Sequence, residues 1–161
     1  MFDMNIPEGI RSRLMKAFIR HLQAHPTLKQ VIKTWDSYEG RSQDHFVIPL
    51  EQAPAIRFTY SSQGMSPQSF TSTSANFSVE MELIVPGTNQ YQMMDLWEVI
   101  ETAIDQFFGG EKAMHDALQG DRRAVYGTHY ISSPAINHAK YKNPPCMVGS
   151  GSVSIVLSIR R

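Results

Sequence analysis

Between Ala75 and Val85 the chain alternates strictly. Ala75, Phe77, Val79, Met81, Leu83 and Val85 fall on one side of an extended backbone, and Ser74, Asn76, Ser78, Glu80 and Glu82 fall on the other. This predicts a strand with one buried and one wetted face, closed by Pro86-Gly87. The C-terminal segment repeats the pattern, with Val153, Ile155, Leu157 and Ile159 set against Ser152, Ser154, Val156 and Ser158. Antiparallel sheets tolerate a wet face, whereas parallel sheets bury both. The predicted class is therefore α+β, a mainly antiparallel sheet covered on one face by helices. Further strands are predicted at Ala55–Tyr60 and Ala124–Ser132.

The cover is legible in residues 89–108. Met93, Leu96, Trp97, Ile100, Ala103, Ile104, Phe107 and Phe108 recur at three- and four-residue intervals, which makes one broad apolar helix face. Asn89 is placed to cap this helix, with Gln92 three residues on, and Gly109-Gly110 ends it. Residues 8–24 predict a second amphipathic helix. Pro7 lies near its start, Ile10, Leu14, Phe18 and Leu22 follow one another at four-residue steps, and His25-Pro26 closes it. Short helices are expected at Leu28–Lys33 and Glu111–Gln119. Ser61–Ser74 holds Gly64, Pro67, two Gln and many Ser, with Met65 and Phe70 as isolated apolar residues. It reads as a mobile excursion between two strands, a long hairpin arm or a loop, able to order against a neighbouring subunit. Asp36–Ala53 is similarly irregular, and Asn143-Pro144-Pro145 interrupts the approach to the last strand.

Length and charge narrow the classes. At 161 residues, one core and one domain are expected. Fifteen basic and fifteen acidic residues cancel, so no global field steers the chain to nucleic acid or an anionic membrane. The single cysteine, Cys146, excludes an internal disulfide framework and fits a reducing compartment. No apolar run approaches the ~18 residues of a membrane span, and the polar start is unlike a signal peptide, so the expectation is synthesis and residence in the cytoplasm.

Charge distribution says more than the total. No basic residue lies between Arg57 and Lys112, while Glu80, Glu82, Asp95, Glu98, Glu101, Asp105 and Glu111 fall there. On the helix, Asp95, Glu98, Thr102 and Asp105 form a ridge opposite the apolar face. The first helix carries Arg11, Arg13, Lys16 and Arg20. Basic and acidic elements of adjacent copies could meet in a ring, which would set orientation more than affinity.

Signatures for chemistry are sparse. The chain has no dinucleotide or P-loop glycine motif, no H-E-x-x-H and no G-x-S-x-G. His21 and His25 have a metal-ligand spacing, but His25 precedes Pro26 and no third ligand stands at a suitable offset. Glu80 and Glu82 are adjacent carboxylates, better explained by a solvated strand face than by acid–base catalysis. No cofactor, metal or catalytic residue is expected. An enzyme would need His129, His138, Cys146 or Glu80 to converge in a pocket. A nucleic-acid module would use Arg11, Arg13, Lys16, Arg20, Arg122 and Arg123, without the aromatic interleaving such modules carry.

Taken in order, an amphipathic N-terminal helix, the strand A-P-A-I-R-F, the strand N-F-S-V-E-M-E-L-I-V-P-G, the helix Q-M-M-D-L-W-E-V-I-E-T-A-I and the final G-S-V-S-I-V-L-S-I resemble the tail terminator or tail-completion proteins of long-tailed bacteriophages. The resemblance covers most of the chain and rests on the order, length and texture of these segments. It implies a non-catalytic virion protein, made in the host cytoplasm and resident in the tail or neck. Such a protein forms a ring, hexameric in this family, on the head-proximal end of the tail tube. There it stops tube growth and meets the head connector, while DNA passes through unread and no membrane is involved. Another neck or head-completion protein would share these features. Expected contacts to subunits or partners are Met65, Phe70, Asn76, Ser78, Glu80, Glu82, Arg13, Arg20, Asp95 and Glu98.

Overall fold

The inner-face residues of the two alternating segments are buried side by side in a computed structural model that describes residues 4–37, 52–87, 89–110, 112–119, 124–132, 135–137 and 146–160. The elements in chain order are α1 (Ile10–Ala24), α2 (Pro26–Val31), β1 (Thr34–Ser37), β2 (Ala55–Pro67), β3 (Ser72–Pro86), α3 (Gln90–Phe108), α4 (Lys112–Leu118), β4 (Ala124–Ile131), β5 (Ala135–Asn137) and β6 (Cys146–Arg160). The strands form one sheet in the order β1-β2-β3-β6-β4, with β5 also on β6. Every pairing is antiparallel except β1 with β2. The predicted class holds.

The two 15-residue strands β3 and β6 pair along their whole length, from Ser72 opposite Arg160 to Pro86 opposite Cys146. Their inner residues are covered by α3, whose eight predicted apolar positions are all buried. Asn89 caps α3 by accepting the Tyr91 N–H at 3.1 Å, and Gly109 closes it by donating to the Asp105 and Gln106 carbonyls. Leu14, Phe18 and Leu22 of α1 join the same core, and Ile10 packs against its margin. Phe18 is the aromatic hub, with ring centroids 6.3 Å from Phe58, 5.8 Å from Phe107 and 6.2 Å from Phe108.

Several boundaries differ from expectation. α1 begins at Ile10 because Gly9 stands at its N-cap with no capping side chain. The second helix starts at Pro26, two residues early. His25 accepts the Thr27 N–H on its Nδ1 at 3.2 Å, and proline suits a first helical position where no N–H partner is needed. The segment Ser61–Ser74 takes the hairpin form, since β2 continues to Pro67 and β3 starts at Ser72. β1 falls at the start of the stretch expected to be irregular, with Trp35 stacked on Phe58. Residues 38–51, Glu111, Arg122, Arg123, His138 and Asn143-Pro144-Pro145 lie outside the described residues.

The wet face is not wet throughout. Ala55, Ile84 and Val148 lie in one cross-strand row on the outer side and are buried, as is Arg57 in the next row. The outer face is therefore covered at this end and open at the other, where Ser74, Asn76 and Ser78 are exposed or half-buried.

One glycine is imposed by packing. A Cβ at Gly151 would sit 2.5 Å from Trp97 Cζ2 and 2.6 Å from Cη2, so the indole of α3 lies directly on the β6 backbone. We expect Gly151→Ala to destabilise the fold by about 1–3 kcal/mol in urea denaturation. Adding Trp97→Leu should recover part of that loss relative to Trp97→Leu alone, and strict additivity of the two changes would show that the contact is not the cause.

Candidate functional site

The residues proposed for contacts sort into three surfaces. Met65 and Phe70 belong to the β2–β3 hairpin. Its tip is a built turn: Ser69 Oγ accepts the N–H groups of Thr71 and Ser72 at 3.2 and 3.1 Å, and Gln68 Oε1 accepts from Ser158 of β6 at 3.0 Å. Held on this turn, Phe70 is 99% exposed.

Asn76, Ser78, Glu80 and Glu82 lie on the outer sheet face, in successive cross-strand rows with Val156, Ser154, Ser152 and Ser150. The rows are joined by hydroxyls. Ser78 and Ser154 meet at 3.0 Å, and Ser132 meets Ser152 at 3.0 Å while accepting its N–H at 2.9 Å. The two carboxylates have different roles. Glu80 is exposed, whereas Glu82 Oε1 accepts from Arg57 Nη1 at 2.9 Å, with the arginine side chain only 2% exposed. Arg57, Thr59, Glu80, Glu82 and the serines 132, 150 and 152 line an open recess of about 270 Å³. Its one cation is paired with Glu82, so the second carboxylate, Glu80, leaves the recess with an excess of negative charge.

Arg13, Arg20, Asp95 and Glu98 lie on helices. Arg13 of α1 donates to the Ala117 carbonyl of α4 from Nε and to the Glu8 carbonyl from Nη1, both at 3.2 Å. Arg20, Asp95 and Glu98 are exposed.

Of the four groups that a catalytic centre would need, the two that are described lie on opposite faces of the sheet. His129 of β4 lies on the inner face, stacked on Phe108 with centroids 4.7 Å apart, while Glu80 is on the outer face of β3. His138 and the Cys146 thiol lie outside the described residues. His21 and His25 are engaged separately, His21 Nε2 with the Ala103 carbonyl at 2.9 Å and His25 as a helix cap.

One cluster escaped sequence reading. The Tyr126 hydroxyl hydrogen-bonds His129 Nδ1, and His129 Nε2 lies 3.4 Å from Asp105 Oδ1 of α3. Residues three apart on a regular strand face opposite ways, but β4 carries a bulge between Tyr126 and Thr128 that puts Tyr126 and His129 on the same side. Gly127, whose added Cβ would lie 3.0 Å from the Val156 carbonyl oxygen, was the available signal. An Asp-His-Tyr chain has the look of a proton relay. Desolvation first, then the nearby Asp105 charge, push the Tyr126 phenol above its usual value, against an opposing hydrogen bond from His129. The phenol is thus held protonated, the reverse of what a nucleophile needs. Asp105 is 78% exposed, and the cluster's role is to tie α3 to the β4 edge.

No protein-family model matches the chain, and no curated protein matches it. Among solved structures it is similar to a chain described as "Virion of native gene transfer agent (GTA) particle". The two are 13% identical, the match covers 96% of this chain and 98% of that one, and the TM-score is 0.43. At that score and identity the likeness carries no argument about role. The chain's own surfaces must supply it.

Two outcomes follow. Because the Tyr126 pKa is raised on folding, its contribution to stability is present below pH 10.0 and lost as the pH rises through the folded value. Ultraviolet titration should show one tyrosine ionising late, and Asp105→Asn should move it back towards the others. Glu82→Gln, which removes the carboxylate charge that faces a buried arginine, should cost on the order of 3 kcal/mol, whereas Glu80→Gln should stay within about 0.5 kcal/mol in the same urea assay.

Proposed function

We propose that this chain is a structural subunit of a long-tailed phage or phage-like particle. Copies assemble into a ring, a hexamer on the resemblance, at the head-proximal end of the tail tube. The ring ends tube growth and joins the tail to the head connector. The role is non-catalytic.

The observation that carries this reading is the hairpin tip. Seven residues, Ser66 to Ser72, turn the chain through a hydrogen-bonded cap that fixes Phe70 in full contact with water. Burying such a ring contributes roughly 1.5–3 kcal/mol, and a rigid arm that presents one is suited to insertion against another chain. Met65, on the same arm, adds a second exposed apolar side chain. The outer face supports the same role, since a surface of serine rows with its arginine already paired offers hydrogen bonds without a reaction centre. The run from Arg57 to Lys112 without a cation suits a lumen that DNA traverses without being held, because phosphate retention requires Lys and Arg. On this reading the partners are further copies, the tube protein and the connector, with assembly in the host cytoplasm and final residence in the neck of the virion.

Electron microscopy of the purified protein, alone and added to tail tubes, tests the reading. Rings with a central hole, free or seated on tube ends, are expected. Compact monomers at high concentration that also leave tube ends bare would overturn it. Phe70→Ser should leave the unfolding free energy within about 0.5 kcal/mol while shifting sedimentation towards smaller species.

A further inference from the structure

The outer side of α3 carries acids, and the cleft between α1 and α4 is rimmed by cations. The cleft, about 650 Å³, is floored by the small side chains of Ala17, Ala24 and Ala117 and rimmed by Arg13, Lys16 and Arg20. A floor of alanines beside long cationic stems leaves room for a helix to lie close, with its acids reaching the rim. Part of the rim is already engaged, since Arg13 bonds two carbonyls and Lys16 lies 3.3 Å from Glu8. Arg20 is exposed and has no ion pair among the described residues.

The matching surface is a different patch of the same molecule. Tyr91 and Met94 are large exposed apolar residues at the start of α3, and Asp95 and Glu98 lie beside them at helical spacing. Neither Asp95 nor Glu98 has an ion pair among the described residues, and α3 carries no basic residue of its own. α3 has 19 residues and α1 has 15, so the two would overlap over about 22 Å at 1.5 Å per residue.

We propose that the outer ridge of α3 from one copy seats in the α1/α4 cleft of the next. Tyr91 and Met94 pack over the alanine floor, and Asp95 and Glu98 meet Arg20 and Lys16. The two surfaces are different patches of one chain, so the contact is head-to-tail and closes into a ring when the rotation permits. The joint rests on the ring reading above and names the surfaces that would build it. DNA is the weaker occupant, because Glu8 and Asp116 dilute the cleft's positive charge and a phosphate backbone brings nothing apolar for the alanines, whereas α3 brings Tyr91 and Met94.

The test is a charge swap in the full chain, read by sedimentation velocity at low and high salt. Arg20→Glu and Glu98→Arg, both at exposed positions, should each weaken self-association about tenfold at low salt. The double variant should regain most of it. Unchanged far-ultraviolet circular dichroism and urea midpoints confirm intact subunits. Wild-type oligomers that neither reversal disturbs, or a double variant no better than the singles, overturn this joint and leave the ring standing. A wild-type chain that stays monomeric alone and on tubes overturns both. Duplex DNA binding abolished by Arg20→Glu, with self-association unaffected, would reassign the cleft to nucleic acid.

Discussion

Six alternate side chains of β3 and five of β6, Met147 among them, make a continuous apolar surface, and the positions of the other elements follow from covering it. α3 lies on the surface through Trp97, which fits because β6 offers a bare backbone at Gly151. α1 is then held against α3 by Phe18, whose ring touches both Phe107 and Phe108 as well as Phe58 of β2. The aromatic contacts extend from Trp35 on β1 to His129 on β4, so the layer is tied from one edge of the sheet to the other. Close-packed interiors of this kind transmit small volume changes, and so one methyl at Gly151 is felt by an entire helix.

The two faces of the sheet obey different physics. On the inner face stability comes from area removed from water, without directional demands. On the outer face, beyond the buried row of Ala55, Ile84 and Val148, it comes from directional pairs: serine to serine across β3 and β6, serine to backbone at Ser132 and Ser152, and carboxylate to guanidinium at Glu82 and Arg57. A buried ion pair is weak evidence of net stability, because desolvation offsets much of the attraction. Its sharper effect is to forbid the loss of either partner. That makes Glu82 part of the scaffold and leaves Glu80, its neighbour on the same face, available to solvent.

Much of this was legible in the chain. The alternation at Ala75–Val85 and the periodicity from Met93 to Phe108 each came from a single dominant force, burial of one face, and so each left a regular trace. What was missed involved a break in period or a contact distant in sequence. The bulge at Gly127 shifts parity in β4, so Tyr126 and His129 share a side that simple alternation denies them. The burial of Ile84 and Val148 on the outer face depends on which rows of the sheet are covered, which no local pattern states. β1 pairs through only four residues and in parallel, too short to display a period of its own. At the contact surfaces, residue type indicated polarity but not commitment: Glu80 and Glu82 read alike until Arg57 is placed beside one of them.

The bulges have a second consequence. β2 breaks register between Tyr60 and Ser62, and β4 breaks it between Tyr126 and Thr128, so each flank of the central pair β3–β6 carries one. Bulges bend a strand and spoil the even ladder on which another chain could zip. On the β2 side the Gly64 carbonyl is further occupied by the Arg11 guanidinium at 2.9 Å. A sheet that ends in a flat, adhesive border offers a template for fibre formation. Beyond Phe58, where β1 no longer pairs with it, β2 is a bent edge, and β4 is bent at the other side, so neither presents an even ladder to a second chain.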